Sequence, residues 1–410
     1  MVSDESLPEF VHTAAISGTL PDIILHPSEF SSGWVQEGIL DRAAATEVIV
    51  FLSPETFENS ALRQVMVDPD EPFYSAIPSH LWRLLIIYRE DWFEERALER
   101  PDSFETILSA AEAIYEPEQN RYGLVVPTDA ALASTQRLFE FLALANGCQL
   151  VNQEGEVTIL HPACLETLEY YRAIINQFSP IGTQTEISAI NAYLAGRTGL
   201  IIASSDVLPA IAGMEDDFRP SCLACTSSHY LADNSNFIFD ITGTGEFSST
   251  SSLSGITALG ITAEANRDSA KSFANYWFDS GYTKWLSVNP ERKIPLRLGR
   301  HGEPQFFLDE WKNMPSRTGQ PALKDLFGEE FANSLAAGTG NDSRWATDLG
   351  QGELLTSLYE ELVLSPLLQE MLSGYFSSSQ SIIEIYRAVV AQIPGYAFPL
   401  PAEPEATPTP

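Results

Sequence analysis

The apolar residues of this chain fall into short runs that switch between two periods. Residues 84–88, LLIIY, are an unbroken apolar run, the pattern of a strand buried on both faces. Glu99-Arg100-Pro101 breaks the chain after it, and Asp102 or Ser103 is placed to cap a new helix. Phe104, Ile107, Leu108, Ala111, Ile114 and Tyr115 then recur at helical spacing as one apolar face. The stretch 77–115 is expected to carry the chain out of one lobe, across a hinge and into a second. The same alternation runs on either side of it. Residues 22–25, 122–126, 198–203, 237–241 and 255–261 read as strands, and 30–38, 136–145, 162–178, 187–195 and 268–278 as helices. Residues 149–159 read as a hairpin turning at Glu154-Gly155, and 321–393 as mostly helical. Residues 1–15 are polar and expected to be poorly tied down, and the Pro-rich 401–410 to be disordered. Strands alternating with helices predict an α/β protein.

Composition narrows this picture. At 410 residues the chain is too long for one compact core, so two domains are expected. The formal net charge of −33 argues against a nucleic-acid partner and against adsorption to anionic lipid, since both would repel it. No apolar run approaches the roughly 20 residues of a membrane span. The first residues, MVSDESLPEF, carry acids in place of a basic n-region, so the chain as given shows no signal peptide. Of the four cysteines, only Cys222 and Cys225 have motif spacing. No second pair completes a zinc set, so the four are expected to be incidental or loosely paired.

The common catalytic and phosphate-binding motifs are absent, and the six histidines are scattered without metal-ligand spacing. No catalytic residue, metal or cofactor is assigned. What remains is a set of polar and aromatic residues at strand ends: His26, Ser28 and Glu29; His80 and Trp82; Thr128 and Asp129; Asp206; Ser254 and Gly255. Trp345, in a polar stretch, joins them. Ligands in α/β sheets bind at such ends. If the strands face one cleft, aromatic faces would stack on sugar rings while carboxylates and imidazoles hydrogen-bond the hydroxyls. Trp92, Trp277 and Trp285 lie on apolar helix faces and are expected in the core.

Five segments resemble, in order, the extracellular solute-binding proteins of bacterial ABC importers, the sugar-binding group that includes maltose-binding protein. They are ISGTLPDIIL, LLIIYREDWFEERALERPDSFETILSAAEAI, FLALANGCQLVNQEGEVTIL, INAYLAGRTGLIIASSD and GITALGITAEANRDSAKSFANYWF, with IPLR following. The resemblance implies two α/β lobes of the Venus-flytrap type joined by hinge strands, with the solute in the interlobe cleft. Residues 1–83 and 258–296 would form lobe 1, and 84–253 and 297–400 lobe 2. The crossings would fall near residues 83–87, 254–257 and 294–298. The resemblance further implies a monomer that binds a sugar or oligosaccharide and docks on permease subunits at the membrane. That would place it in the periplasm or outside the cell, held by a signal or lipoprotein segment missing from this chain, or in the cytoplasm if the given start is genuine. Only fifteen residues precede Ile16, so lobe 1 is expected to lack its first β–α unit. Asp206 stands where the family often has Trp, and Cys148 where it has a second Gly. The alternatives are a ligand sensor or degenerate copy on the same fold, and an enzyme on a two-lobed scaffold.

Overall fold

The computed structural model describes residues 3–68, 71–316, 320–337, 344–345 and 350–398. Its strands are β1 (Ile23–Pro27), β2 (Met66–Asp68), β3 (Glu71–Tyr74), β4 (Ile77–Arg89), β5 (Tyr122–Val125), β6 (Thr198–Ser204), β7 (Ser235–Ile238), β8 (Ile241–Thr242), β9 (Thr250–Ser251), β10 (Ser254–Ile261) and β11 (Ile294–Pro295). One sheet runs in the order β1-β10-β4-β6-β5, with β11 and β7 also paired to β4, while β2-β3 and β8-β9 are small separate pairs. The fold is mixed α/β and two-lobed.

β4 is the axis of that sheet. Its first part pairs with β10, from Leu259 opposite Ile77 to Ser254 opposite Arg83, and with β11 at His80 and Leu81. Its second part pairs with β6, from Leu84 opposite Ser204 to Tyr88 opposite Leu200, and with β7. The partners change between Arg83 and Leu84. The strand is longer than its apolar run because neighbouring strands on both sides satisfy the backbone of residues 79–83, among them Ser79, His80 and Arg83. Side chains alternate across the sheet. Leu84, Ile86 and Tyr88 enter one core with the helices Phe104–Ile114, Ala133–Ala145 and Pro162–Phe178. Leu81, Leu85 and Ile87 enter the other, with α3 (Arg42–Leu52, after α1, Leu7–Ser17, and α2, Ser31–Gln36) and the helix Arg267–Phe278.

The helix after the break is capped by Ser103, whose Oγ accepts from Thr106 N at 3.2 Å, while Thr106 Oγ1 accepts from Ser103 N at 3.1 Å. Phe104 then stacks on Tyr170 at 3.9 Å between centroids.

Three sequence expectations change. The N-terminal stretch is held by α1, with Val11 and Ala14 buried and Gly18 closing the helix at φ 65°. Residues 149–159 make a single bridge, Val151 to Val157, in place of a hairpin ladder. The cysteines are not incidental: Cys148 bonds Cys164, and Cys222 bonds Cys225. Sequence spacing gave no sign of the first pair. It forms because Cys148, just past one helix, meets Cys164 in the first turn of the next, both fully buried. The Pro-rich 401–410 lies outside the described residues.

The helical C-terminal part is not confined to one half of the sheet. In the helix Gly352–Glu360, Thr356 Oγ1 donates to Glu29 O at 2.6 Å and accepts from Gly33 N at 3.1 Å, beside β1. Three residues on, the Tyr359 hydroxyl donates to Glu140 Oε2 at 2.5 Å on the helix Ala133–Ala145.

Candidate functional site

β1 ends in His26-Pro27, and the next turn, residues 28–30, places Glu29. Its carboxylate meets the helix Ala133–Ala145 at Arg137, whose Nε and Nη2 donate to Oε1 at 3.2 and 3.1 Å. Arg344 lies 3.3 Å from the same oxygen and forks onto Glu140, with Nε to Oε1 at 2.8 Å and Nη2 to Oε2 at 3.1 Å. The four charges are buried. Burial alone would raise the Glu29 pKa, but the Arg344 and Arg137 guanidiniums outweigh it and hold the value at about 2.

Trp82 on β4 borders this cluster. Its ring lies over Gly255 on β10, where an added Cβ would come within 2.2 Å of Cζ2. Arg137 sits 5.5 Å from the Trp82 centroid and 5.5 Å from that of Tyr359. Only Gly leaves room for the indole there. Asp206 follows β6, accepts from Ser204 Oγ and lies 3.5 Å from Arg292. Asp4 and Glu186 feel the same charges, Asp4 those of Arg137, Glu29 and Arg292, and Glu186 those of Asp206 and Arg137. Burial raises the pKa of both. The arrangement offers one aromatic face, two fixed guanidiniums and several carboxylates, the donors and acceptors that hydroxyl recognition requires.

Of the residues singled out from sequence, Glu29, Trp82 and Gly255 come together here, while Asp206 pairs with Arg292. Ser28 and Ser254 are buried beside them in sequence, Ser254 in register with Arg83. His26 is a core residue: Nδ1 meets Pro27 O at 2.8 Å and the ring packs 5.0 Å from Trp34. His80 is also in the core, between Ser79 Oγ at 3.0 Å and the Trp285 indole at 3.3 Å. Burial lowers the His26 pKa to about 4, and burial with Lys293 and Arg292 lowers that of His80 to about 3. Trp345, singled out as a candidate ligand contact, is fully buried, with its Nε1 donating to Cys148 O at 3.0 Å and its ring 5.9 Å from that of Phe139. Thr128 borders a cavity of about 540 Å³, with Asn176, Thr183 and Gln369, that none of the cluster residues lines. Asp129 is spent on its own turn, accepting from Ala131 N at 3.0 Å. Arg137, Glu140, Arg344 and Tyr359 were missed. The available signal was Arg137 and Glu140, two charges three residues apart in the otherwise apolar QRLFEFLALA.

No protein-family model matches the chain. In sequence it is similar to a protein of Escherichia coli K12 named as an ABC transporter periplasmic-binding protein, YcjN, with 28% identity over 210 residues, 51% of this chain and 48% of that protein. The chain thus spans about half the length of the curated relative it matches. In structure it is similar to maltose-bound MalE3 of T. maritima, with a TM-score of 0.72 and 15% identity over 95% of this chain and 90% of that one. It is also similar to a solute-binding protein of Thermotoga lettingae bound with α-D-tagatose, with a TM-score of 0.71 and 16% identity over 94% and 89%. A third is a solute-binding protein of Agrobacterium radiobacter K84 in complex with ribitol, with a TM-score of 0.70 and 13% identity over 96% and 90%. The fold is that of these two-lobed binding proteins.

Proposed function

We propose that this chain is the solute-binding component of an ABC importer, taking a carbohydrate-like solute between its lobes and presenting it to membrane permease subunits on hinge closure. The observation that carries this reading is the meeting of Trp82, Glu29 and Arg137 where the two parts of the sheet exchange partners at Arg83 and Leu84. An indole face beside fixed ionic hydrogen-bonding groups suits a sugar's apolar C–H surface and its hydroxyl rim. The fold and the sequence relative support the same reading. Residues 1–83 and 258–296 then act as lobe 1 and 84–253 as lobe 2. The stretch 297–400 reaches both, since Thr356 touches one and Tyr359 the other. A solute selects the closed state by touching both lobes. The role is binding, without turnover, and the site of action is the periplasm or the cell exterior. Two disulfides accord with an oxidising compartment.

Thermal shift and tryptophan fluorescence against a panel of mono- and oligosaccharides and polyols test this. At a concentration of about 100 times Kd, the right solute stabilises the protein by about 2.7 kcal/mol. Trp82→Ala is expected to weaken that solute about fivefold, since an aromatic stacking contact of about 1 kcal/mol is lost. A folded protein that no member of the panel stabilises would remove the carbohydrate assignment.

A further inference from the structure

Away from the Trp82 cluster, three elements bring together a histidine and two carboxylates. His12 lies on α1, Glu37 caps the end of α2, and Glu360 ends the helix Gly352–Glu360. His12 Nδ1 is 3.3 Å from Glu37 Oε2, and His12 Nε2 is 3.3 Å from Glu360 Oε1. One ligand atom from each lies within 4.8 Å of the other two. We propose that His12, Glu37 and Glu360 form a site for a divalent transition cation of the zinc class.

Chemistry and anchoring both support this. Two carboxylates and an imidazole are a common ligand set for such an ion, with the fourth position left to water. Ligand atoms about 2.0–2.1 Å from a tetrahedral centre stand roughly 3.3 Å apart, and both His12 contacts already have that spacing. The imidazole gives only one nitrogen to a metal, so the carboxylate now on its other nitrogen must close from within 4.8 Å to the roughly 3.3 Å of a tetrahedral ligand pair. The side chains that move are the exposed ones, His12 at 36% and Glu37 at 43%. Glu360 is 15% exposed and is fixed by the buried Trp34 indole, whose Nε1 donates to Oε1 at 2.6 Å. A ligand oriented by a buried donor is the usual outer-shell support of a metal site. Charge points the same way. Among the described residues, His12 is the one basic side chain that either carboxylate has within ion-pair distance. A dication would neutralise the pair and tie α1 to α2 and to the helix Gly352–Glu360.

The test uses the chelator-treated full chain. Titration with ZnCl2 at neutral pH, followed by calorimetry and tryptophan emission, is expected to show one saturable equivalent. Emission should change because Trp34 donates directly to a ligand carboxylate. His12→Ala and Glu360→Gln should each weaken binding at least about tenfold, and His301→Ala, at an exposed position outside the cluster, should not. Circular dichroism of the variants shows whether each is folded. Absence of saturable binding by the folded wild type would overturn the site, leaving a histidine held between two carboxylates. So would zinc binding that folded His12→Ala and Glu360→Gln leave unchanged.

Discussion

His26 and His80 are both read from sequence as strand-end residues facing a ligand, and both end in the core. Nothing in HPSEF or SHLWR distinguishes an imidazole aimed at solvent from one aimed at an indole. That choice depends on Trp34 and Trp285, which arrive from elsewhere in the chain. Glu29 and Trp82, by contrast, do meet in the fold, on either side of Arg137. Their partners Arg137 and Arg344 were not legible in the sequence, since burial of an arginine is decided by a carboxylate distant in sequence. The buried histidines have a consequence for pH. Their folded pKa values, about 4 and about 3, lie below the ordinary 6.5, so the unfolded chain takes up protons first as pH falls. Stability is complete above pH 6.5 and is lost below it, by up to about 1.4 kcal/mol per pH unit for each histidine. Urea midpoints between pH 7.5 and 4.5 should show this decline, and His80→Phe should flatten it. An equally steep decline in that variant and in His26→Phe would assign the acid sensitivity to carboxylates instead.

At the scale of elements, the sequence was read well where a pattern was local. The apolar runs at 84–88 and 198–203 are strands, and the helix beginning at Phe104 carries the Ser103 cap. It failed where structure is made by contact between distant segments. The first seven residues of β4 carry Ser79, His80 and Arg83 and do not alternate, yet they are strand because β10 and β11 pair with them. α1 was taken for a loose polar segment because its buried positions, Pro8, Val11 and Ala14, are few and small. The Cys148–Cys164 bond is a third case. It ties the helix Ala133–Ala145 to Pro162–Phe178 across 16 residues, and a loop of that size is worth about 3 kcal/mol. The double substitution Cys148→Ser, Cys164→Ser should lower the guanidinium midpoint accordingly, whereas Cys222→Ser with Cys225→Ser, which opens a three-residue span, should cost less. Equal losses would mean that packing around the sulfurs, and not chain constraint, sets the effect.

For the molecule as a whole, two lobes were inferred from length and resemblance, and the sheet shows how they are joined. β4 passes from one set of partners to the other without a break, and both hydrophobic cores receive its side chains. The helix Gly352–Glu360 adds a second bond between the halves. Neither half can release its strand without exposing the other's core. The protein should therefore unfold on heating as a single transition with matching calorimetric and van't Hoff enthalpies. Two resolved transitions would show that each half holds its part of β4 independently.

The sheet order also has an end. β1 is the outermost strand on its side and pairs only with β10 among the described residues. An open strand edge is a template for another chain's backbone, and proteins blunt such edges with proline. Pro21 lies two residues before β1 and Pro27 is its last residue, so the run able to accept a foreign strand is the short Ile23-Ile24-Leu25-His26. Pro21 and Pro27 thus act as guards against self-association, and a chain in which Pro27 is replaced by a β-branched residue would trade solubility for a longer edge.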